Sequence, residues 1–393
     1  MYVKKAIAAA IVLALSAVFF SCTKDDSTGP MPDYKVQKPV NGQYIIVFND
    51  KNTDSPQSVN LNARAISLLE SNSISSAAII DVYSYVLNGF AASLTQDEAD
   101  RLLNDSRVKY IEPDQVFQLP ETSVITDEKA ASDKTQAQST PWGITAIGGP
   151  GTANSHYAWI LDTGVDLDHP DLNVNRSLSK TFVRIGKDSK SADDLNGHGT
   201  HVAGTIAAKD NTVGVIGVAP GATVVAVKVL NLNGSGYTTD IISGLNYIAS
   251  KATAGDVINI SLGGGASTSL DNAVKNCASG GIFVSVAAGN SSANANNYSP
   301  ARVNVDNLFT VSAHNSSGVF ASFSNYGNPP IDFAAPGVSV YSCYKGGKYA
   351  TMSGTSMATP HVAGIMLVNG GTVNSNGTVT GDPDGNPDTK AKL

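Results

Sequence analysis

Ser356 sits in Ser353-Gly354-Thr355-Ser356-Met357-Ala358-Thr359-Pro360-His361-Val362-Ala363-Gly364, between a glycine turn and the expected start of a helix. A helix N-terminus leaves backbone N–H groups unpaired and carries partial positive charge, so an oxyanion formed there would meet donors already aimed at it. By itself a serine in this place is an ordinary N-cap. Hydrolytic chemistry needs more, because a serine hydroxyl is a poor nucleophile without a base in reach and a third group to orient that base. His198, in Asn196-Gly197-His198-Gly199-Thr200-His201, stands ahead of an apolar, small-residue helix that would hold a base rigidly. Asp162 ends the apolar run Tyr157-Ala158-Trp159-Ile160-Leu161 and precedes Thr163-Gly164, which reads as a buried strand delivering a carboxylate at its tip. Asn290 closes a second such run, Val286-Ala287-Ala288-Gly289-Asn290, and offers an amide donor for an oxyanion.

Other chemistries fit less well. His198 and His201 with Asp193 or Asp194 could face one zinc ion, but there is no H-E-x-x-H pattern. The run Asp162, Asp166, Asp168, Asp171 lacks the glycine and the terminal glutamate of a calcium loop. A lipase-like serine needs its acid and histidine downstream, and here Asp162 and His198 come first, with Ala358 where that pattern wants glycine.

Together, Asp162-Thr163-Gly164, His198-Gly199-Thr200-His201, Ala288-Gly289-Asn290 and Gly354-Thr355-Ser356-Met357-Ala358 resemble the subtilisin-like serine proteases, most closely the proteinase K branch, from about Pro141 to Gly364. The resemblance implies an endopeptidase in which Ser356 attacks, His198 is the base, Asp162 orients it, and Asn290 with the Ser356 N–H forms the oxyanion hole. It also implies that Gly234, Ser235 and Gly236 on one side and Ser261, Leu262, Gly263 and Gly264 on the other flank an extended substrate. Their glycines offer bare backbone to an added strand. Leu262 to Gly264 with Ala287, Ala288 and Gly289 would line a wide apolar P1 pocket, suited to aromatic or aliphatic residues. Catalysis would need no cofactor. A structural calcium is expected at Asp332, in Ile331-Asp332-Phe333-Ala334, with backbone carbonyls between residues 301 and 308 and Asp306 as an added ligand. A catalytically dead peptide-binding module and a metal hydrolase are the rival readings. A fluorophosphonate that failed to label would favour the first, and loss of activity to chelators the second.

The elements that must position these residues follow from pattern. Apolar runs at Thr223 to Val229, Val257 to Ile260 and Ile282 to Ala287 alternate with helical stretches at His201 to Ala208, Thr239 to Ser250 and Leu270 to Ser279. Such alternation predicts an α/β fold, a parallel sheet covered by helices on both faces. Upstream, the order strand (42–48), helix (59–71), strand (78–85), strand (88–94), helix (Gln96 to Leu103, capped by Thr95), strand (108–114) predicts a small ferredoxin-like α+β domain. That segment resembles the inhibitor-type propeptides of the same protease family, so the chain's own propeptide is its expected intramolecular inhibitor.

The chain therefore divides into a signal peptide (1–21), a polar tether (22–40), a propeptide (41–118), an exposed linker with the processing site (119–140) and a catalytic domain (141–393). Lys4 and Lys5, the apolar run Ala6 to Phe20 and Ser21-Cys22 have the layout of a secretory signal, too short for a comfortable span. The Ser-Cys junction resembles a bacterial lipoprotein signal with Cys22 acylated. The protein is thus expected in the bacterial envelope, lipid-anchored at the outer membrane or cell surface, with secretion as the alternative. An oxidising compartment would permit a Cys277–Cys343 bridge without requiring one. A net charge of −7 with 15% charged residues provides no basic patch for nucleic acid. The partners are protein or peptide substrates, met by a monomer. The segment after Asn369, ending in Gly381-Asp382-Pro383-Asp384-Gly385-Asn386-Pro387, reads as a solvated tail.

Overall fold

The computed structural model describes residues 39–49, 60–119, 125–126 and 137–393. The expected signal, Cys22 and the tether up to residue 38 lie outside the described residues, as does most of the linker.

The N-terminal domain, the expected propeptide, runs β1 (Pro39–Phe48), α1 (Leu61–Ser71), β2 (Ile79–Tyr83), β3 (Gly89–Ser93), α2 (Gln96–Leu103) and β4 (Val108–Gln118). Its helix α2 has the expected bounds because Thr95 and Glu98 form a capping box, each side chain taking the other's backbone N–H. Side chains alternate across β1. Ile46 and Phe48 join Leu61, Leu68, Phe90 and Leu102 in the propeptide's own core, whereas Ile45 and Val47 pack with Tyr83, Leu87 and Phe117 against the catalytic domain.

A short β5 (Ile125–Thr126) precedes α3 (Trp142–Ala146), β6 (Ala158–Asp162), β7 (Asn173–Val174), β8 (Lys180–Thr181), α4 (His198–Ala207), β9 (Thr223–Lys228) and β10 (Ser235–Tyr237). Next come α5 (Thr238–Lys251), β11 (Val257–Ile260), β12 (Gly264–Gly265), α6 (Thr268–Ser279), β13 (Phe283–Ala287) and β14 (Tyr298–Ser299). The chain closes with β15 (Leu308–His314), β16 (Ile331–Pro336), β17 (Val340–Tyr344), β18 (Lys348–Met352), α7 (Thr355–Asn369), β19 (Asn374–Thr378) and β20 (Thr389–Lys392).

The main sheet has the order β19-β20-β16-β15-β13-β11-β6-β9-β7, with β8 also on β9. Its neighbours are parallel except β19 and β20. The apolar runs are continuous because both faces are covered. Ile160, Val224 and Ala226 meet Val202 and Val362 of α4 and α7 on one face; Trp159, Leu161, Val225 and Val227 meet Ile241, Leu245 and Val274 of α5 and α6 on the other. Cys277 and Cys343 are free, buried and on opposite sides of this sheet, so no bridge joins them.

Two expectations are corrected. The tail is not simply solvated: β20 adds in parallel to β16, Ala391 is buried, and the Ser312 hydroxyl donates to Asp388 at 2.5 Å. Burial pushes the Asp388 carboxyl up to about 6. Polar edge residues around one inward alanine leave almost no apolar signature, which is why this strand escaped notice. The linker is not uniformly exposed either. Leu119 is buried and donates its N–H to the Gly234 carbonyl at 2.9 Å, β5 pairs antiparallel with β18, and Ala137 and Ser139 bridge to Val213 and Val215.

Candidate active site

Asp162 ends β6, and His198 begins α4 on the same side of the sheet. Both are buried, and His198 Nδ1 lies 2.8 and 2.9 Å from the two Asp162 carboxylate oxygens. Gly199 allows this approach, since a Cβ there would stand 2.0 Å from the Gly164 carbonyl oxygen. Burial disfavours a charged imidazole, but the Asp162 carboxylate, its hydrogen bond and the field of Asp194 outweigh it, leaving the His198 pKa above its ordinary value.

Ser356 occupies the first turn of α7, after Gly354 at φ 154°. Pro360 has no N–H to give the carbonyl four residues earlier, which is that of Ser356. The Ser261 hydroxyl takes its place at 2.9 Å. The Ser356 hydroxyl in turn donates to the Ser261 carbonyl at 3.1 Å. His198 Nε2 is buried with no hydrogen-bond partner among the described residues. Asn290 Nδ2 is likewise buried and unpaired, while Asn290 Oδ1 accepts from the Thr355 N–H and hydroxyl at 2.8 and 2.9 Å. That clamp fixes the amide so that its N–H₂ faces away from Thr355. Orphaned buried groups are rare and call for a partner.

The two segments expected to flank a substrate are arranged unequally. β4 pairs antiparallel with β10, setting Val116, Phe117 and Gln118 against Tyr237, Gly236 and Ser235, and Gly234 receives the Leu119 N–H. Among the described residues β12 pairs with β14 instead, through Gly264 with Ser299 and Gly265 with Tyr298. Leu262 and Ala288 are buried in the α5–α6 face, Gly263 lies beside Ser299, and Gly289 donates its N–H to Thr355 Oγ1 at 3.1 Å.

Residues considered for a metal have other partners. His201 Nε2 donates to the Val340 and Ala350 carbonyls at 3.0 and 3.2 Å, and burial pushes its pKa down to about 3. Asp194 caps the start of α4 by accepting from the Asn196, Gly197 and Thr200 N–H groups and the Thr200 hydroxyl. It also takes the Thr163 hydroxyl at 3.0 Å, while Thr163 accepts the Gly199 N–H at 2.9 Å. This bracket between strand and helix was not legible in the sequence, because the residue in the N-cap position is Gly197 and Asp194 lies three residues before it. Lys228, fully buried, pairs with Asp188 at 2.8 Å and donates to the Thr163 carbonyl. A lone lysine in an apolar strand gave no hint of it. No group of three His, Cys, Asp or Glu placed to hold a metal occurs among the described residues.

Residues 159–369 match the subtilase family (peptidase S8), and residues 43–120 match the peptidase inhibitor I9 family. The chain is 35% identical over 375 residues to alkaline serine protease ver112 of Corniculantispora psalliotae, covering 91% of this chain and 87% of that protein. It is 37% identical over 355 residues to the extracellular serine proteinase of Thermus sp. strain Rt41A, covering 85% and 82%. A solved cold adapted subtilisin-like serine proteinase superposes with a TM-score of 0.55 at 37% identity, over 63% of this chain and 96% of that one. The chain belongs to the subtilase family: it is a serine endopeptidase carrying its own I9 inhibitor segment ahead of the catalytic domain.

Proposed function

We propose that this zymogen works through Asp162, His198 and Ser356, cuts its own linker, and then hydrolyses proteins with apolar or aromatic P1 residues. The observation that carries the reading is the pair of orphaned buried atoms, His198 Nε2 and Asn290 Nδ2, one suited to accept a proton from a serine and the other to donate to an oxyanion. Ser356 Oγ turns from the Ser261 carbonyl to a substrate carbonyl carbon and gives its proton to His198 Nε2. Asp162 holds Nδ1–H and stabilises the imidazolium. The tetrahedral oxyanion takes hydrogen bonds from Asn290 Nδ2 and the Ser356 N–H. Collapse breaks the C–N bond as His198 returns the proton to the leaving amine, and water removes the acyl group by the same steps reversed. A fluorophosphonate should label the processed parent chain on Ser356 alone. Absence of labelling would remove Ser356 from the role of nucleophile.

The base must be neutral to accept a proton, so kcat/KM should rise with pH through an apparent pKa above the ordinary imidazole value of about 6.5, because Asp162 holds the charged form. Activity is lost as pH falls through that value. A rate unchanged between pH 5 and 9 would remove His198 from this role.

The name of the Thermus relative supports export, which we extend to this chain; Cys22 acylation and membership of the proteinase K branch are parts of the same reading. Calcium at Asp332 is a further expectation. Burial, opposed by the Thr310 N–H at 2.8 Å, pushes this carboxyl up to about 6. A hard cation would suit it, with backbone carbonyls of residues 301–308 completing an oxygen shell. The ion would stabilise the fold and take no part in the reaction. At a hundredfold excess over Kd, binding to the folded state alone adds about 2.7 kcal/mol. The unfolding temperature of Ser356→Ala should therefore rise with free calcium and lose that rise in Asp332→Ala. Equal temperatures with calcium and with chelator would dismiss the site.

A further inference from the structure

The surface joining propeptide and catalytic domain carries an unusual set of charges. Asp114, at the middle of β4, is fully buried and accepts the Thr239 N–H at 3.1 Å and the Thr239 hydroxyl at 2.8 Å, in the first turn of α5. Asp81, on β2, receives the Ser243 hydroxyl one turn further along the same helix. Between these positions on α5 lies Asp240, 2% exposed, whose carboxylate accepts Arg184 Nε at 2.7 Å. Tyr83 is buried beside them and donates to the Thr239 carbonyl at 3.2 Å. A cavity of about 290 Å³ adjoins the cluster, lined by Gln43 and Val116 of the propeptide and by Arg184, Tyr237 and Asp240 of the catalytic domain.

Charge does not balance here. Three carboxylates face one guanidinium, and two of the three arrive only with the propeptide. Fully ionised, the cluster would hold two negative charges beyond its one exposed cation, which is costly because Asp114 and Asp240 are buried and Asp81 is half-buried. A proton relieves that cost, and the cavity gives water a place from which to deliver it.

We propose that Asp81, Asp114, Asp240 and Arg184 form a proton-responsive latch, in which a proton bound to the cluster tightens the propeptide's grip on the catalytic domain and its loss as pH rises loosens it. Such a latch would keep the precursor closed in mildly acidic surroundings and ease inhibitor release in neutral to alkaline ones.

Burial drives the Asp240 carboxyl up to about 7; Arg184 opposes this, and Asp114 and Asp81 add to it. Burial raises Asp114 as well, against its Thr239 hydrogen bonds, the Gln115 N–H and Arg184. Tyr83 is held well above its ordinary range, first by burial, and stays neutral throughout. When the propeptide leaves, Asp240 loses its cover and both repelling carboxylates, and falls toward the ordinary carboxylate value of about 4. The docked state thus keeps a proton that the separated parts release. Its extra hold is complete below the free value, weakens by roughly tenfold per pH unit between the two values, and is lost above about 7.

The inference rests on the inhibitor reading only in that β4 lies docked on β10 and α5, so a catalytically silent chain can test it. In full-length, uncut Ser356→Ala, hydrogen exchange at residues 235–240 and 112–118 would be followed from pH 5 to 8.5 and corrected for intrinsic exchange. Protection should fall by about tenfold per pH unit up to neutrality, while β13 amides keep theirs. Asp240→Asn should hold its protection flat across the range. If that variant does not fold, Asp81→Asn serves instead and should show a shallower fall. Protection independent of pH in the Ser356→Ala chain, or an undiminished slope in the folded variant, would overturn the latch. Neither outcome depends on whether the parent enzyme cuts itself.

Discussion

Full-length Ser356→Ala is expected to accumulate uncut under conditions in which the parent chain shortens to a form that begins between residues 120 and 125. The expected loss of turnover is roughly 10⁶, a magnitude known for the serine of subtilisin itself and carried over to this relative, not calculated from the present geometry. The position of the cut follows from how the chain enters and leaves the cleft. On one side Leu119 donates to the Gly234 carbonyl, continuing the β4–β10 pairing. On the other, Ile125 and Thr126 pair with Thr351 and Ala350 of β18, the strand that leads into Ser353-Gly354-Thr355-Ser356. These two attachments bracket the bond we expect to be cut. N-terminal sequencing of the mature form checks this. A start beyond Thr126, or processing of purified Ser356→Ala at a rate near the parent's, would refute it.

How much of this was legible in the sequence depended on whether a signal was local. The turn-and-strand motifs around Asp162, His198, Asn290 and Ser356 are local, and so are the Thr95 cap and the uninterrupted apolar runs of strands covered on both faces. What escaped needed a distant partner. β4 continues past Asp114 to Gln118 because β10, more than a hundred residues later, supplies its neighbour. The relation of Pro360 to Ser261 is another case: the helix-interior proline is visible in the sequence, but the hydroxyl that satisfies the freed Ser356 carbonyl comes from a separate strand end. The carboxylate cluster at Asp240 is a third. Nothing in Thr238-Thr239-Asp240 tells that helix start apart from an ordinary acidic first turn until Asp81 and Asp114 are folded onto it.

Asp162→Asn should lower kcat by about 10⁴ near neutral pH while leaving KM and the β4–β10 pairing nearly unchanged. The geometry gives the reason. Asp162 Oδ1 accepts the Thr163 N–H at 2.6 Å, and both carboxylate oxygens reach His198 Nδ1. In the amide the Thr163 contact retains the oxygen at that end, so the new N–H₂ replaces Oδ2 and points at Nδ1. A donor then faces Nδ1 beside the retained oxygen, which favours the tautomer with Nδ1 as acceptor. The ring proton then moves to Nε2, the atom that has to receive the proton of Ser356. The substitution also deletes the carboxylate that holds the His198 pKa above its ordinary value, so the surviving activity should titrate at lower pH than the parent's. Measuring kcat, KM and the pH midpoint together separates this from general damage. A merely structural aspartate would lower stability and leave the midpoint in place, and a loss of less than tenfold with an unmoved midpoint would mean that Asp162 does not orient the base.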